Sequence, residues 1–198
     1  MNAASKIEFN TPTAGFDQPI EMWLGCHRRI ERMNALLQRL VDHLKNQAVD
    51  RHAGVTAESI RRYFDEAGPR HHEDEEVDLF PRLMDRLSAQ DAAGGAPGAE
   101  RIAAAIATLR ADHADMAQLW QALREQLLQV EAGKDPHFDD AQLMLFVTRY
   151  RAHIEIEDSV LAPAFKRAFK AKDLREIGRA MAARRGVDWD AIVAATKR

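Results

Sequence analysis

The segment His71-His72-Glu73-Asp74-Glu75-Glu76-Val77-Asp78-Leu79-Phe80-Pro81 returns later in the chain as His153-Ile154-Glu155-Ile156-Glu157-Asp158-Ser159-Val160-Leu161-Ala162-Pro163. In each copy a His and a Glu stand four residues apart. On a helix that spacing puts both on one face, where an imidazole and a carboxylate from successive turns can grip the same cation. A second acid, a Leu and a Pro follow at identical offsets in both copies. A lone His precedes each copy at a similar distance: His27 lies 71 − 27 = 44 residues before His71, and His113 lies 153 − 113 = 40 before His153. The chain therefore reads as two similar halves carrying one ligand set: His27, His71, Glu75, His113, His153 and Glu157.

Four helices must position these groups. Trp23, His27, Ile30, Leu37, Val41 and Leu44 recur at helical spacing from about Ile20 to Lys45, and a second helix follows the polar stretch that ends near Thr56. In the third, Ile102, Ile106, Leu109, His113, Met116, Trp120, Leu123 and Leu127 make a stripe that is apolar except at His113. Leu143, Phe146, Tyr150, His153, Glu157, Leu161 and Phe165 mark the fourth, from about Asp140 to Phe169. Two such helix pairs can bury their apolar faces only against each other. This predicts an all-α, up-down-up-down four-helix bundle over residues 20–169 with the ligands pointing at one interior spot. An extended arm is expected over 1–19, where Pro12, Gly15 and Pro19 fall, and a helical extension over 170–198, in two amphipathic pieces outside the bundle. The segment Ser88 to Ala99, with Gly94-Gly95 and Pro97-Gly98, divides the halves. Pro69 is expected to bend its helix or restart it just before the ligand turn, and Pro81 and Pro163 to bend or end theirs.

One histidine on an apolar stripe is usually a core residue with its ring nitrogens satisfied. Four at equivalent positions, two of them with Glu at i+4, would leave several buried polar groups unpaired unless a cation binds them. His72 with Glu76 is an alternative register, but the other copy has Ile154 where His72 stands. Glu76 and Asp158, about 140° round the helix from the ligand His, suit outer acceptors, surface charges or alternative ligands. His43, His52 and His137 read as solvated residues. Imidazole and carboxylate without thiolate point away from copper(I) and toward iron, manganese or zinc. Two carboxylates can each bridge a pair of ions. Two six-coordinate ions need about twelve positions, of which the six side chains fill about eight and one oxide or hydroxide bridge two more, leaving about two open. Trp23, Met116, Trp120, Met144 and Tyr150 are candidate pocket walls. Tyr150, one turn before His153, could donate a hydrogen bond to a bound oxygen species.

The net charge of −3 argues against nucleic acid as a partner. It is unevenly spread: Lys166 to Arg198 holds ten basic and four acidic residues, +6, so the rest carries −9. That tail reads as solvated helix faces, with docking to an acidic partner as the alternative. Cys26 is the sole cysteine, which excludes an intrachain disulfide or a thiolate-ligated cluster. No apolar run reaches the roughly 18 to 20 residues that span a bilayer, and the N-terminus lacks a signal-peptide pattern. The expectation is a cytoplasmic protein with no membrane partner, and with a second copy of itself as the one macromolecular partner to consider. A ferritin-like oxidase would need Glu-x-x-His pairs, and none of the eight histidines has Glu three residues before it.

From His27 to about Phe169 the sequence resembles the hemerythrin-like, or HHE cation-binding, proteins. The resemblance is carried by His71-x-x-x-Glu75-Glu76-x-x-Leu79-Phe80-Pro81 and His153-Ile154-x-x-Glu157-Asp158, with His27 and His113 in the two remaining ligand positions. It implies two iron ions, bridged by carboxylate and oxide or hydroxide, that react with O2, NO or peroxide. The implied function is binding or sensing of oxygen, nitric oxide or iron; the alternative is a di-iron oxidoreductase acting as a peroxidase, in nitric oxide handling or in iron–sulphur cluster repair. The oxygen-carrying members have two histidines four apart on the third helix, whereas Leu109 and Ala117 flank His113 here. One iron is thus expected to lack a protein nitrogen. The cluster-repair members add a cysteine-bearing N-terminal domain, for which this chain has only Cys26 and a short arm.

Overall fold

The structure is a computed structural model that describes residues 14–91 and 98–196. Most of the arm expected over 1–19, and the Gly94-Gly95 and Pro97 part of the central loop, lie outside the described residues. Helix α1 spans Pro19–Leu44. Helix α2 runs through residues 51–91 as Arg51–Arg62, a π-helical turn at Tyr63–Ala67, Gly68–Glu73, a second π turn at Asp74–Leu79, and Phe80–Asp91. Helix α3 is Ala99–Glu131, and α4 covers 140–168 as Asp140–Ile156, a π turn at Glu157–Leu161 and Ala162–Ala168. Two shorter helices follow, α5 at Ala171–Arg184 and α6 at Trp189–Thr196.

Local chemistry sets the ends. Asp50 accepts a hydrogen bond from the Ala53 amide and Asp139 from the amides of Ala141 and Gln142, starting α2 and α4. Gly133, at φ +69°, ends α3 in the left-handed conformation that glycine tolerates. Helix α2 packs on α1 and α3, α3 on α4, and α4 closes back on α1. With such short connections, neighbours run antiparallel around a four-helix bundle.

The prolines do not stop the helices. The residue before each one donates its amide five residues back: Gly68 to Tyr63, Phe80 to Glu75 and Ala162 to Glu157. A proline has no N–H to give and its ring crowds the carbonyl four residues earlier. Widening one turn relieves that crowding, and helix continues past each of the three prolines instead of ending there. Two of the three carbonyls that accept these bonds belong to the predicted carboxylate ligands.

Two apolar clusters fill the bundle. One holds Ile30, Leu37, Phe64, Met116, Phe146 and Tyr150; the other Trp23, Leu79, Phe80, Leu109, Leu161 and Phe165. A polar layer lies between them along each helix: His27 between Trp23 and Ile30, His71 between Phe64 and Leu79, His113 between Leu109 and Met116, and His153 between Tyr150 and Leu161.

Helix α5 belongs to the second cluster. Its Ile177 and Met181 are fully buried, so this piece, expected outside the bundle, packs tightly against α1 and α2. A methyl at Gly178 would stand 2.0 Å from the Phe16 carbonyl oxygen, and only glycine permits that close approach. Arg184 and Arg185 reach inward. Arg184 pairs with Asp74 and Asp78, and Arg185 places Nη2 2.6 Å from Asp74 Oδ2. Two charges of the basic tail are therefore spent on the turn that carries Glu75. No helix among the described residues is long and apolar enough to cross a membrane.

Candidate metal centre

The six predicted ligands come together. Donor atoms of His27, His71, Glu75 and Glu157 lie within 4.8 Å of one another, and so do those of His72, Glu75, His113 and His153. Glu75 belongs to both groups. Its Oε1 is 2.9 Å from His71 Nε2 and its Oε2 3.3 Å from His113 Nε2. Glu157 spans the same divide, with Oε2 3.2 Å from His27 Nε2 and Oε1 3.5 Å from His153 Nε2. Both carboxylates are fully buried.

The motif of each half thus reaches the lone histidine of the other half. The outer acids follow the same crossing. Glu76 Oε1 is 2.6 Å from His113 Nδ1, and Asp158 Oδ1 is 2.8 Å from His27 Nδ1. Of the three roles open to these acids in the sequence, the geometry selects outer acceptors. Such a partner fixes Nδ1 as the N–H and leaves Nε2 as a lone pair aimed inward. Asp112 stands 3.6 Å from His153 Nδ1 and is itself held by Arg149.

The residues fit a bound cation. Of the eleven buried side-chain atoms without a hydrogen-bond partner among the described residues, ten belong to His27, His71, His72, Glu75, His113, His153 and Glu157, including all five Nε2 atoms. At about 1 to 3 kcal/mol each, ten orphaned donors and acceptors in one buried layer would cost on the order of 10 kcal/mol or more. Burial, together with the Glu75 carboxylate beside it, pushes Glu157 well above the ordinary carboxylate range. Burial opposes charge on Glu75 too, but His71 and His113 hold it well below that range. Burial also lowers His27, and His153 to about 4. Against that burial penalty, Glu75 raises His71 and His113 above the usual imidazole value.

The surroundings are mostly apolar. Trp23 is buried and donates its indole N–H to Glu75 Oε1 at 2.5 Å, with its ring edge on His27. A cavity of about 180 Å³, open to the surface, is lined by Phe64, Met116, Trp120, Tyr150 and His72 among others. Three of the predicted pocket walls therefore line it, whereas Trp23 packs on the ligands instead. Met144 is no wall at all: it is half exposed and accepts a hydrogen bond from Gln38 on the surface. His43, His52 and His137 are exposed.

His72 is the residue that the sequence did not place in the leading ligand set. Its mismatch with Ile154 argued against it, and the register that favoured it, His72 with Glu76, is not formed: Glu76 turns to His113 and His72 is grouped with Glu75. Its ring stacks on that of His113, with centroids 4.0 Å apart.

Imidazoles and shared carboxylates in a buried layer of a four-helix bundle define a helical cation-binding protein. The family described as hemerythrin HHE cation binding domain matches residues 18–165, and the chain belongs to it. The chain is also similar to a protein of Haemophilus influenzae described as uncharacterized, at 29% identity over 174 residues, covering 88% of this chain and 94% of the other.

Proposed function

We propose that this chain is a non-haem di-iron protein that binds or senses O2, NO or iron itself. The observation that carries the reading is the sharing of Glu75 between two four-residue donor groups, with Glu157 spanning the same two sides. A single ion would not call for two carboxylates that each divide their oxygens between different imidazoles. All-imidazole and carboxylate donors suit iron, with manganese or zinc as competitors. When bound, a pair of iron ions supplies redox-active centres with room for a diatomic or peroxide ligand.

The protein's own residues then do three things. Glu75 and Glu157 would hold the cations and offset their charge. Glu76 and Asp158 keep His113 and His27 in the tautomer that presents Nε2. The apolar layers above and below, from Trp23 and Phe80 to Phe64 and Phe146, exclude bulk water and so strengthen every electrostatic contact between them. The free Cys26 suits a reducing cytoplasm.

The test is to mix the reduced, iron-loaded protein with O2, NO or peroxide and follow its optical spectrum in a stopped-flow instrument. Reversible, stoichiometric spectral change is the expected result. Multiple turnovers would move the assignment to a di-iron oxidoreductase. A spectrum that none of the three ligands changes would refute both.

A further inference from the structure

We infer that His72 is a fifth nitrogen donor of the centre, completing a position built from His72, His113, His153 and Glu75. The inference rests on the two-ion reading above. On a helix, successive residues are about 100° apart, so relative to His71 the side chain of His72 leaves at about 100° and that of Glu75 at about 40°. Glu75 therefore lies between the two imidazoles. A carboxylate that divides its oxygens between two ions then has one histidine of its own helix on each flank, His71 toward the first ion and His72 toward the second.

The contacts agree with that placement. His72 offers a ring nitrogen within 4.8 Å of donors from Glu75, His113 and His153. Its Nε2 is buried and has no hydrogen-bond partner. The ring stacks on His113 at an interplanar angle of 12°. On its other side are the cavity walls Phe64, Pro69, Met116 and Tyr150. The one carboxylate among those walls, Asp65, already accepts hydrogen bonds from Trp120, Arg61 and Arg124. A core histidine with both nitrogens satisfied does not describe this residue.

This changes the comparison with the third helix. Leu109 and Ala117 cannot supply the second imidazole there, but His72 delivers one to the same group from α2. The two positions become unlike, with three imidazoles at one and two, His27 and His71, at the other. The second motif offers no counterpart, because Ile154 takes the equivalent place. In the count of about twelve coordination positions, five imidazoles, two bridging carboxylates and one bridging oxygen leave about one open instead of two.

The test uses Zn(II) as the probe and the full chain, followed by long-range 1H–15N correlation spectra of the imidazoles. On adding two equivalents, His27, His71, His72, His113 and His153 should all take the metal-bound pattern while His43, His52 and His137 keep the free one. The His72→Gln variant identifies its signals and should still take up the first zinc normally, with affinity for the second lowered tenfold or more, since even outer partners of a ligand are worth ten- to a hundredfold. Four bound imidazoles with His72 free would overturn the inference and leave the two-ion reading intact. Failure of all five to respond would overturn both. The wild-type spectra decide the matter even if the variant does not fold.

Discussion

His27 Nδ1 lies 2.8 Å from Asp158 Oδ1, across 131 residues of chain. Its counterpart is the 2.6 Å contact of His113 Nδ1 with Glu76 Oε1. In both, the acid directly after Glu75 or Glu157 holds the lone histidine of the opposite half. The repeat in the sequence thus becomes an approximate two-fold relation in space, with each half finishing the ligand set of the other.

The first prediction concerns these outer acids. Asp158→Ala and Glu76→Ala should each weaken metal binding by about ten- to a hundredfold, because the imidazole loses the partner that orients it. Both acids are about half exposed, so the fold should survive. Competition with a chelator measures the affinity and circular dichroism the helix content. Unchanged affinity in both variants would reduce these contacts to surface ion pairs.

Metal uptake should release protons near neutral pH. In the metal-free protein Glu75 and the other anionic neighbours hold His71 and His113 above the ordinary imidazole value. Both rings are therefore largely protonated at a pH where a free imidazole is not, and a cation must displace those protons. Affinity for Zn(II) is thus expected to fall as pH drops, beginning above the usual imidazole pKa. Titration calorimetry in buffers of different ionisation enthalpy reads the proton count directly, and a count of zero at pH 7 would contradict this.

How much of this was legible in the sequence depended on which interactions are local. The His-to-Glu spacing of four is a property of one helix, so Glu75 and Glu157 could be paired with His71 and His153 before any fold was known. The crossing of Glu76 to His113 needs the register of α2 against α3, which no single stripe records. The π turns were hidden for a different reason: a proline in a helical pattern signals disruption, but not whether the helix stops or widens by one residue. The packing of α5 is not legible because an amphipathic helix does not say which surface its apolar face covers. Gly178 and the inward Arg184 and Arg185, which look like ordinary tail residues, are what bring it close.

Removing Arg184 should destabilise the protein. The side chain is mostly buried between Asp74 and Asp78, and Arg184→Ala leaves those carboxylates partly unpaired. The expected loss is on the order of 3 kcal/mol, the lower end of the range for breaking a buried pair, read as a lower denaturation midpoint in urea at constant slope. A midpoint equal to that of wild type would mean that Arg185 alone holds the turn.

Gly178→Ala tests the seating of α5 without altering a charge. The added methyl meets the Phe16 carbonyl oxygen at 2.0 Å, so α5 or residue 16 must move, at a cost of about 1 to 3 kcal/mol. Thermal unfolding should show the loss, while metal stoichiometry stays at the wild-type value. Thermal stability equal to wild type would show that α5 does not pack this closely on Phe16.

By the proposal above, seven side chains hold two iron ions, with Glu75 and Glu157 shared between them. Metal analysis combined with Mössbauer spectroscopy on protein purified with its native metal tests it most directly. The account predicts two irons per chain in a magnetically coupled pair. One isolated iron per chain, or none with the ten buried polar atoms still unfilled, would contradict it.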